Sequence, residues 1–178
     1  ARLASTAAPA AAAPAPAAAA INLLEAPVLA LILAFFVRYS PTAEYIFQKN
    51  QNIPSYLFMS IIVALFIGLT VSAEEIIKDK KILKRETFLN LSKNSYLTSK
   101  IIAQLSISAL QTFLFVIVGN SLLGIHDMYF TFWLILFTTA AFANLLALNI
   151  SATMNSVVTV YILIPFLLIP LLLLSGVV

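Results

Sequence analysis

Residues 73–100 read AEEIIKDKKILKRETFLNLSKNSYLTSK and separate two long apolar stretches of the chain. The part from Lys78 to Lys100, here called the basic segment, holds seven of the ten Lys and Arg residues. Charged side chains are expensive inside a bilayer, so this segment lies outside the membrane. Because loops that face the cytoplasm carry an excess of Lys and Arg, the basic segment is predicted to be cytoplasmic.

The composition of the 178 residues is that of a membrane protein. Hydrophobic residues make up 62% of the chain and charged residues 10%, whereas soluble domains carry about 25% charge. There is no cysteine, a single histidine and no Gly-rich phosphate loop. Disulfides, thiolate metal sites and Walker-type nucleotide binding are therefore excluded from this chain. The net charge of +3 comes with no nucleic-acid motif, so no nucleic-acid partner is expected.

Five apolar runs are long enough for helices that cross a bilayer, which need about 20 mainly apolar residues. The fold class is therefore predicted as an all-α polytopic membrane protein, with spans over residues 21–38, 56–77, 97–118, 129–149 and 156–175. With the basic segment inside, the N-terminus is cytoplasmic and residues 39–54 and 120–128 lie outside. The chain stops after the fifth run without a polar flank, so a sixth span is expected beyond residue 178.

Residues 1–20 differ from the rest of the chain. They contain thirteen alanines and three prolines, a composition typical of a low-complexity linker. A stretch of uncertain identity written mostly as alanine is the other interpretation. We assign no chemistry to residues 1–20 and treat residues 21–178 as a partial transmembrane domain.

Apolar pairs recur every six residues around the basic segment, at 76/77, 82/83 and 88/89. This spacing approximates one face of a helix without following it strictly. Two interpretations remain open: an amphipathic helix that lies parallel to the membrane, and a solvated loop that only anchors the topology.

A few polar residues fall inside the predicted spans. Gln104, Ser108 and Gln111 share one helix face at spacings of four and three residues, and Asn144 lies in the fourth span. Polar side chains in membranes commonly hydrogen-bond to neighbouring helices, so we expect packing roles rather than substrate contacts. Glu25 lies near the inner end of the first span, where an interfacial position is expected.

The run from Gly68 to Gly119 resembles the membrane domain of ABC-2-type transporters, especially the G (White-like) subfamily. In that family the second span ends in an acidic residue, and a charged stretch, a Tyr and a Ser/Ala-Lys pair follow. The matching positions are Glu74 or Glu75, Lys80-Lys81, Arg85-Glu86, Tyr96 and Ser99-Lys100. Residues 149–178 are similar to the turn and fifth span of the family, so the resemblance covers about residues 21–178.

One departure concerns the third span. Eukaryotic members often carry a proline there, whereas this chain reads Ala103-Gln104-Leu105. The resemblance therefore points to a bacterial relative and to the bacterial inner membrane.

The resemblance implies the permease domain of an ABC exporter, which works as a homo- or heterodimer among membrane lipids. Its nucleotide-binding domain, fused or separate, would bind ATP and Mg²⁺, and this segment would hold no cofactor, metal or catalytic site. The basic segment corresponds to the coupling helix, which contacts that domain. The residues implied for coupling are Lys80, Lys81, Lys84, Arg85, Glu86 and Tyr96, with Glu74 and Glu75 at the inner membrane boundary. The residues implied for a substrate cavity are Phe66, Ile67 and Thr70 in the second span and Pro165, Ile169 and Leu172 in the fifth.

Two other classes of function are alternatives to a transporter. A non-transporting scaffold or assembly subunit of a larger complex is the alternative. A membrane-embedded enzyme is poorly supported, because no carboxylate pair, histidine cluster or Ser/His/Asp set lies at a common depth. An apolar, aromatic cavity lining favours a lipid-like or amphipathic substrate, by family analogy alone.

Overall fold

The computed structural model of the chain describes residues 16–38, 52–73, 75–79, 93–125, 127–154 and 156–174. Residues 75–79 are helical, and none of the described residues lies in a strand. The predicted all-α fold is confirmed. The longer helices are α1 (Pro16–Val37), α2 (Ile53–Ala73), α3 (Lys93–Leu123), α4 (Tyr129–Thr153) and α5 (Val157–Leu174).

The helices extend beyond several of the predicted spans. Helix α3 continues to Leu123 and is followed by Gly124, whose φ of 66° lies in the left-handed region that favours glycine after a helix. Helix α4 continues to Thr153 and so includes the first part of residues 149–156, whose polar sequence is typical of a turn. There the side chains of Asn149 and Thr153 donate hydrogen bonds to carbonyls of their own helix. These polar residues are therefore accommodated within α4 and do not end the helix before Thr153.

Three helical stretches of the described chain are long and apolar enough to cross a membrane. They are Ile53–Asp79, Ser95–Leu123 and Tyr129–Thr153. Helices α1 and α5 contain shorter apolar stretches, Asn22–Val37 and Val158–Leu173. The chain is a polytopic membrane protein, and five spans remain a prediction.

Small residues allow the helices to approach closely. Helix α1 packs on α3 and buries Ala26, Ala30 and Ala34 completely. Helix α2 packs along α4, where Gly68 faces Ala140. Helix α3 also contacts α4, and α5 lies against α2. Membrane helices associate through such small-residue contacts because lipid supplies little hydrophobic driving force between them.

Large apolar side chains point away from the helix contacts. Phe35 and Phe36 on α1 are 74% and 78% exposed, and Phe166 on α5 is 73% exposed. Such a surface suits hydrocarbon rather than water.

Candidate functional site

The two ends of the basic segment meet in a group of charged side chains. Lys100 of α3 forms ion pairs with Glu75 Oε1 at 2.9 Å and with Asp79 Oδ2 at 2.8 Å. The Tyr96 hydroxyl donates to the same Asp79 oxygen at 2.8 Å. We call Glu75, Asp79, Tyr96 and Lys100 the inner cluster. It joins the residues that follow α2 to the first turns of α3.

Helical spacing explains why these four side chains meet. Glu75 and Asp79 are four residues apart on one helical stretch, and Tyr96 and Lys100 are four apart on another. Residues at this spacing share a helix face. The Lys100 Nζ also lies 5.9 Å from the centre of the Tyr96 ring, within the range of a cation–π contact. The described acids and base partly neutralise one another at this position.

Helix α4 reaches the same region through one hydroxyl. The amides of Ile76 and Ile77 both donate to Ser151 Oγ at 3.2 Å, and Ser151 is fully buried. The start of the residue 75–79 helix is therefore attached to α4 as well as to α3.

A second polar group lies in the helix core. Ser72 of α2 donates to Asn144 Oδ1 at 3.0 Å, and Asn144 Nδ2 donates to Ser108 Oγ of α3 at 2.7 Å. These three residues are at most 1% exposed. Gln111 donates from Nε2 to the Asn22 carbonyl of α1 at 2.7 Å. The predicted packing roles of Ser108, Gln111 and Asn144 are confirmed.

A cavity of about 470 Å³ opens between α1, α2, α3 and α5. Phe66 and Thr70, both predicted as cavity residues, line it. Glu25 and Glu75 also line it. The remaining lining residues are Asn22, Val71, Lys78, Gln104, Ile107 and Tyr161.

Four predicted substrate-cavity residues do not line this cavity. Ile67 is 3% exposed and packs in the helix core, whereas Pro165 and Ile169 lie on the exposed side of α5 and Leu172 is half-buried. The substrate roles of all six predicted residues stay predictions.

The described residues contain only part of the predicted coupling surface. Tyr96 belongs to the inner cluster, and so does Glu75 of the predicted boundary pair. No group of three or more His, Asp or Glu side chains in the described ranges is arranged to hold a metal ion. The predicted residues that lie outside those ranges are Glu74, Lys80, Lys81, Lys84, Arg85 and Glu86.

Sequence reasoning missed three contributors to these sites. Asp79 was not predicted as a site residue, although its spacing of four from Glu75 indicates that both lie on one helix face. Ser151 had no signal, because its partners are 75 and 74 residues away in sequence. Glu25 was recognised as ionisable, but its place on a cavity wall follows only from helix packing.

These observations define a helical membrane protein with a charged junction between two of its spans. The chain matches the family model described as ABC-2 type transporter over residues 11–178. It therefore belongs to the ABC-2 type transporter family, as a transporter permease in the membrane. The family match begins inside the alanine-rich stretch.

A curated relative supports the G subfamily. The chain is 27% identical over 135 residues to "ABC transporter G family member STR" of Medicago truncatula, a match that covers 75% of this chain and 16% of that protein. The chain thus spans a small part of the length of this relative. No solved structure matches the chain.

Proposed function

We propose that this chain is the permease domain of an ATP-driven exporter, and that its basic segment receives the movement of a nucleotide-binding domain. The observation that carries the coupling proposal is the pair of ion contacts from Lys100 to Glu75 and Asp79. They connect the two helices that lead into and out of the basic segment.

The inner cluster supports a mechanical role for that segment. Because Lys100 and Tyr96 hold Asp79 against the start of α3, a displacement of the segment acts on α2 and α3 together. The Ser151 contact extends the displacement to α4. A loop without such attachments would absorb the movement of a bound domain.

The same proposal assigns the remaining parts of the transporter. The nucleotide-binding domain, fused or separate, binds ATP and Mg²⁺ on the cytoplasmic side. A second transmembrane half completes a homo- or heterodimer, and its helices complete the substrate cavity. The protein resides in the bacterial inner membrane with its N-terminus in the cytoplasm. Family membership supports the pairing with a nucleotide-binding domain and the place in a membrane.

The decisive test reverses two charges of the basic segment in the complete transporter. The double change Lys84→Glu and Arg85→Glu is expected to abolish transport-coupled ATPase activity. The new carboxylates would repel the acidic groups of the nucleotide-binding domain that Lys84 and Arg85 are proposed to contact. Insertion into the membrane should be unchanged. ATPase activity and transport are both measured on the same proteoliposomes.

The matched control is Lys49→Glu, which reverses one charge in the connection predicted on the other side of the membrane. It should leave coupling intact. If the Lys84/Arg85 variant still couples ATP hydrolysis to transport, the docking assignment is wrong. If the intact complex purifies with no ATP-binding domain at all, the scaffold alternative replaces the transporter proposal.

A further inference from the structure

The cavity between α1, α2, α3 and α5 is lined by both polar and apolar side chains. Phe66, Ile107 and Tyr161 provide aromatic and aliphatic surface, whereas Glu25 and Glu75 provide carboxylates. A volume of about 470 Å³ is in the range of small-molecule sites. This mixed lining suits an amphiphile, with a polar head beside the acids and a hydrocarbon tail against the apolar side chains.

The two carboxylates differ in their surroundings. Glu75 already shares Lys100 with Asp79. Glu25 is half-buried and forms no ion pair with any other described residue. Glu25 lies near the inner end of the first predicted span, and it lines the cavity without a described ion-pair partner. Glu25 is therefore available to a cationic ligand.

Gln104 gives a second and independent indication. The residue is 3% exposed, and its Oε1 is buried without a hydrogen-bond partner in the described part of the chain. Gln104 is one of the residues that line the same cavity as Glu25. Buried acceptors are normally paired, so a hydrogen-bond donor in the cavity would satisfy it.

The charge on the wall selects the sign of the ligand. Two carboxylates and one ammonium group, that of the exposed Lys78, line the cavity. An anionic head would meet both acids and the orphan acceptor of Gln104. A neutral alcohol can donate to Gln104 but gains nothing from the charge of Glu25.

We propose that this cavity binds an amphiphile whose head group is an ammonium, held by Glu25 and Gln104, with its tail against Phe66, Ile107 and Tyr161. The inference concerns binding in one copy of the chain, and it does not depend on ATP coupling.

The test uses the complete transporter in non-ionic detergent without nucleotide. The probe is dodecylamine with a photoreactive diazirine near the end of its chain. Peptides that contain Phe66, Ile107 or Tyr161 are expected to carry the label, as read by mass spectrometry. Unlabelled dodecylamine should protect them at a concentration about tenfold lower than dodecanol, since hydrogen bonds to charged groups are stronger than neutral ones. Equal protection by the amine and the alcohol would overturn the proposal.

Single substitutions then assign the head-group contacts. Glu25→Gln and Gln104→Leu should each weaken the protection by dodecylamine about tenfold. Asp127→Asn removes an exposed acid between α3 and α4 and should have no effect. Glu25→Lys should reverse the preference, so that dodecyl sulfate protects better than dodecylamine. A folding defect does not reverse a preference, and unchanged binding by both Glu25 variants would refute the site.

The source of the ammonium group is read from a lipid series. Nanodiscs of phosphatidylglycerol with or without phosphatidylethanolamine are compared with the same probe. Protection by phosphatidylethanolamine that is lost in Glu25→Gln identifies a membrane lipid as the occupant. Protection by the free amine alone identifies a single-chain amphiphile. Either result supports an ammonium site, and ATPase measurements on the same preparations report on coupling separately.

Discussion

Single polar residues inside the spans hold particular helices together. Asn144 uses both ends of its amide, accepting from Ser72 of α2 and donating to Ser108 of α3. In a bilayer no water replaces these partners, so the three-helix contact is specific as well as stabilising. The apolar sequence around Asn144 predicts that this residue is buried. It does not predict which helices Asn144 connects.

The Asn144→Ala change is expected to lower the free energy of unfolding by about 0.6–2 kcal/mol, the range found for interhelical hydrogen bonds in membranes. Asn149→Ala on the same helix is the control, because among the described residues the exposed Asn149 side chain bonds only to the Leu145 carbonyl of its own helix. Both variants are compared by unfolding in mixed detergent micelles. An equal loss in the two would show that the network adds no stability.

Helix packing depends on two glycines whose neighbours differ in kind. A Cβ on Gly68 of α2 would lie 2.7 Å from the Ala140 carbonyl oxygen and 2.8 Å from the Ala143 Cβ of α4. A Cβ on Gly119 of α3 would collide with the hydroxyl of Tyr56. The Ala140 backbone beside Gly68 cannot move aside without separating α2 from α4. The hydroxyl beside Gly119 belongs to the Tyr56 side chain and can be removed by substitution.

Gly68→Ala and Gly119→Ala are each expected to destabilise the protein by about 1–3 kcal/mol, as overpacking does. Tyr56→Phe should restore much of the stability lost in Gly119→Ala, because the clashing oxygen is gone. It should not help Gly68→Ala. Thermal unfolding in detergent checks the four combinations, and rescue of both glycine variants alike would contradict the packing described here.

The junction between α2 and α3 is the element that the coupling proposal depends on. Lys100 compensates two carboxylates there, and all three side chains are about one quarter to one third exposed. Exposed ion pairs contribute at most about 1 kcal/mol each. The cluster is therefore expected to position the junction more than to stabilise the whole fold.

Lys100→Gln should accelerate amide hydrogen exchange in residues 75–79 and 95–100, because the remaining acids repel each other and release Tyr96. The global unfolding temperature should change little. Hydrogen exchange read by mass spectrometry gives both the local and the distant effect. Lys100→Arg, which keeps the charge, serves as the control, and unchanged exchange in Lys100→Gln would remove the basis for a rigid junction.

At the scale of the whole molecule, the basic segment is predicted to orient the chain in the membrane. This chain contains no cysteine, so single cysteines are clean probes. Lys81→Cys should react with an impermeant maleimide only from the cytoplasmic side, and Asp127→Cys only from the opposite side. Labelling of intact and inverted vesicles measures this. The reverse pattern would show that the positive-inside assignment of this chain is wrong.

The sequence predicted some residues of the candidate site and missed others. Tyr96 and Glu75 were identified through a family motif, and Lys100 through its pairing with Ser99. The partners Asp79 and Ser151 were not, because nothing in a local pattern reports which distant helix lies alongside. The cavity acid Glu25 and the orphan acceptor Gln104 share a cavity wall although 79 residues separate them in the numbering.

The sequence by itself determined that this protein is helical, that it lies in a membrane, and that its charge is concentrated between the second and third apolar runs. These are local properties, since an apolar run in a bilayer must satisfy its backbone within its own helix. Only the tertiary structure decided that α2 packs on α4 and α1 on α3, that Lys100 bridges two acids, and that Glu25 and Gln104 line one cavity. Those features depend on close packing between helices that are distant in sequence, and small residues such as Ala30 and Gly68 permit many pairings from which the fold selects one.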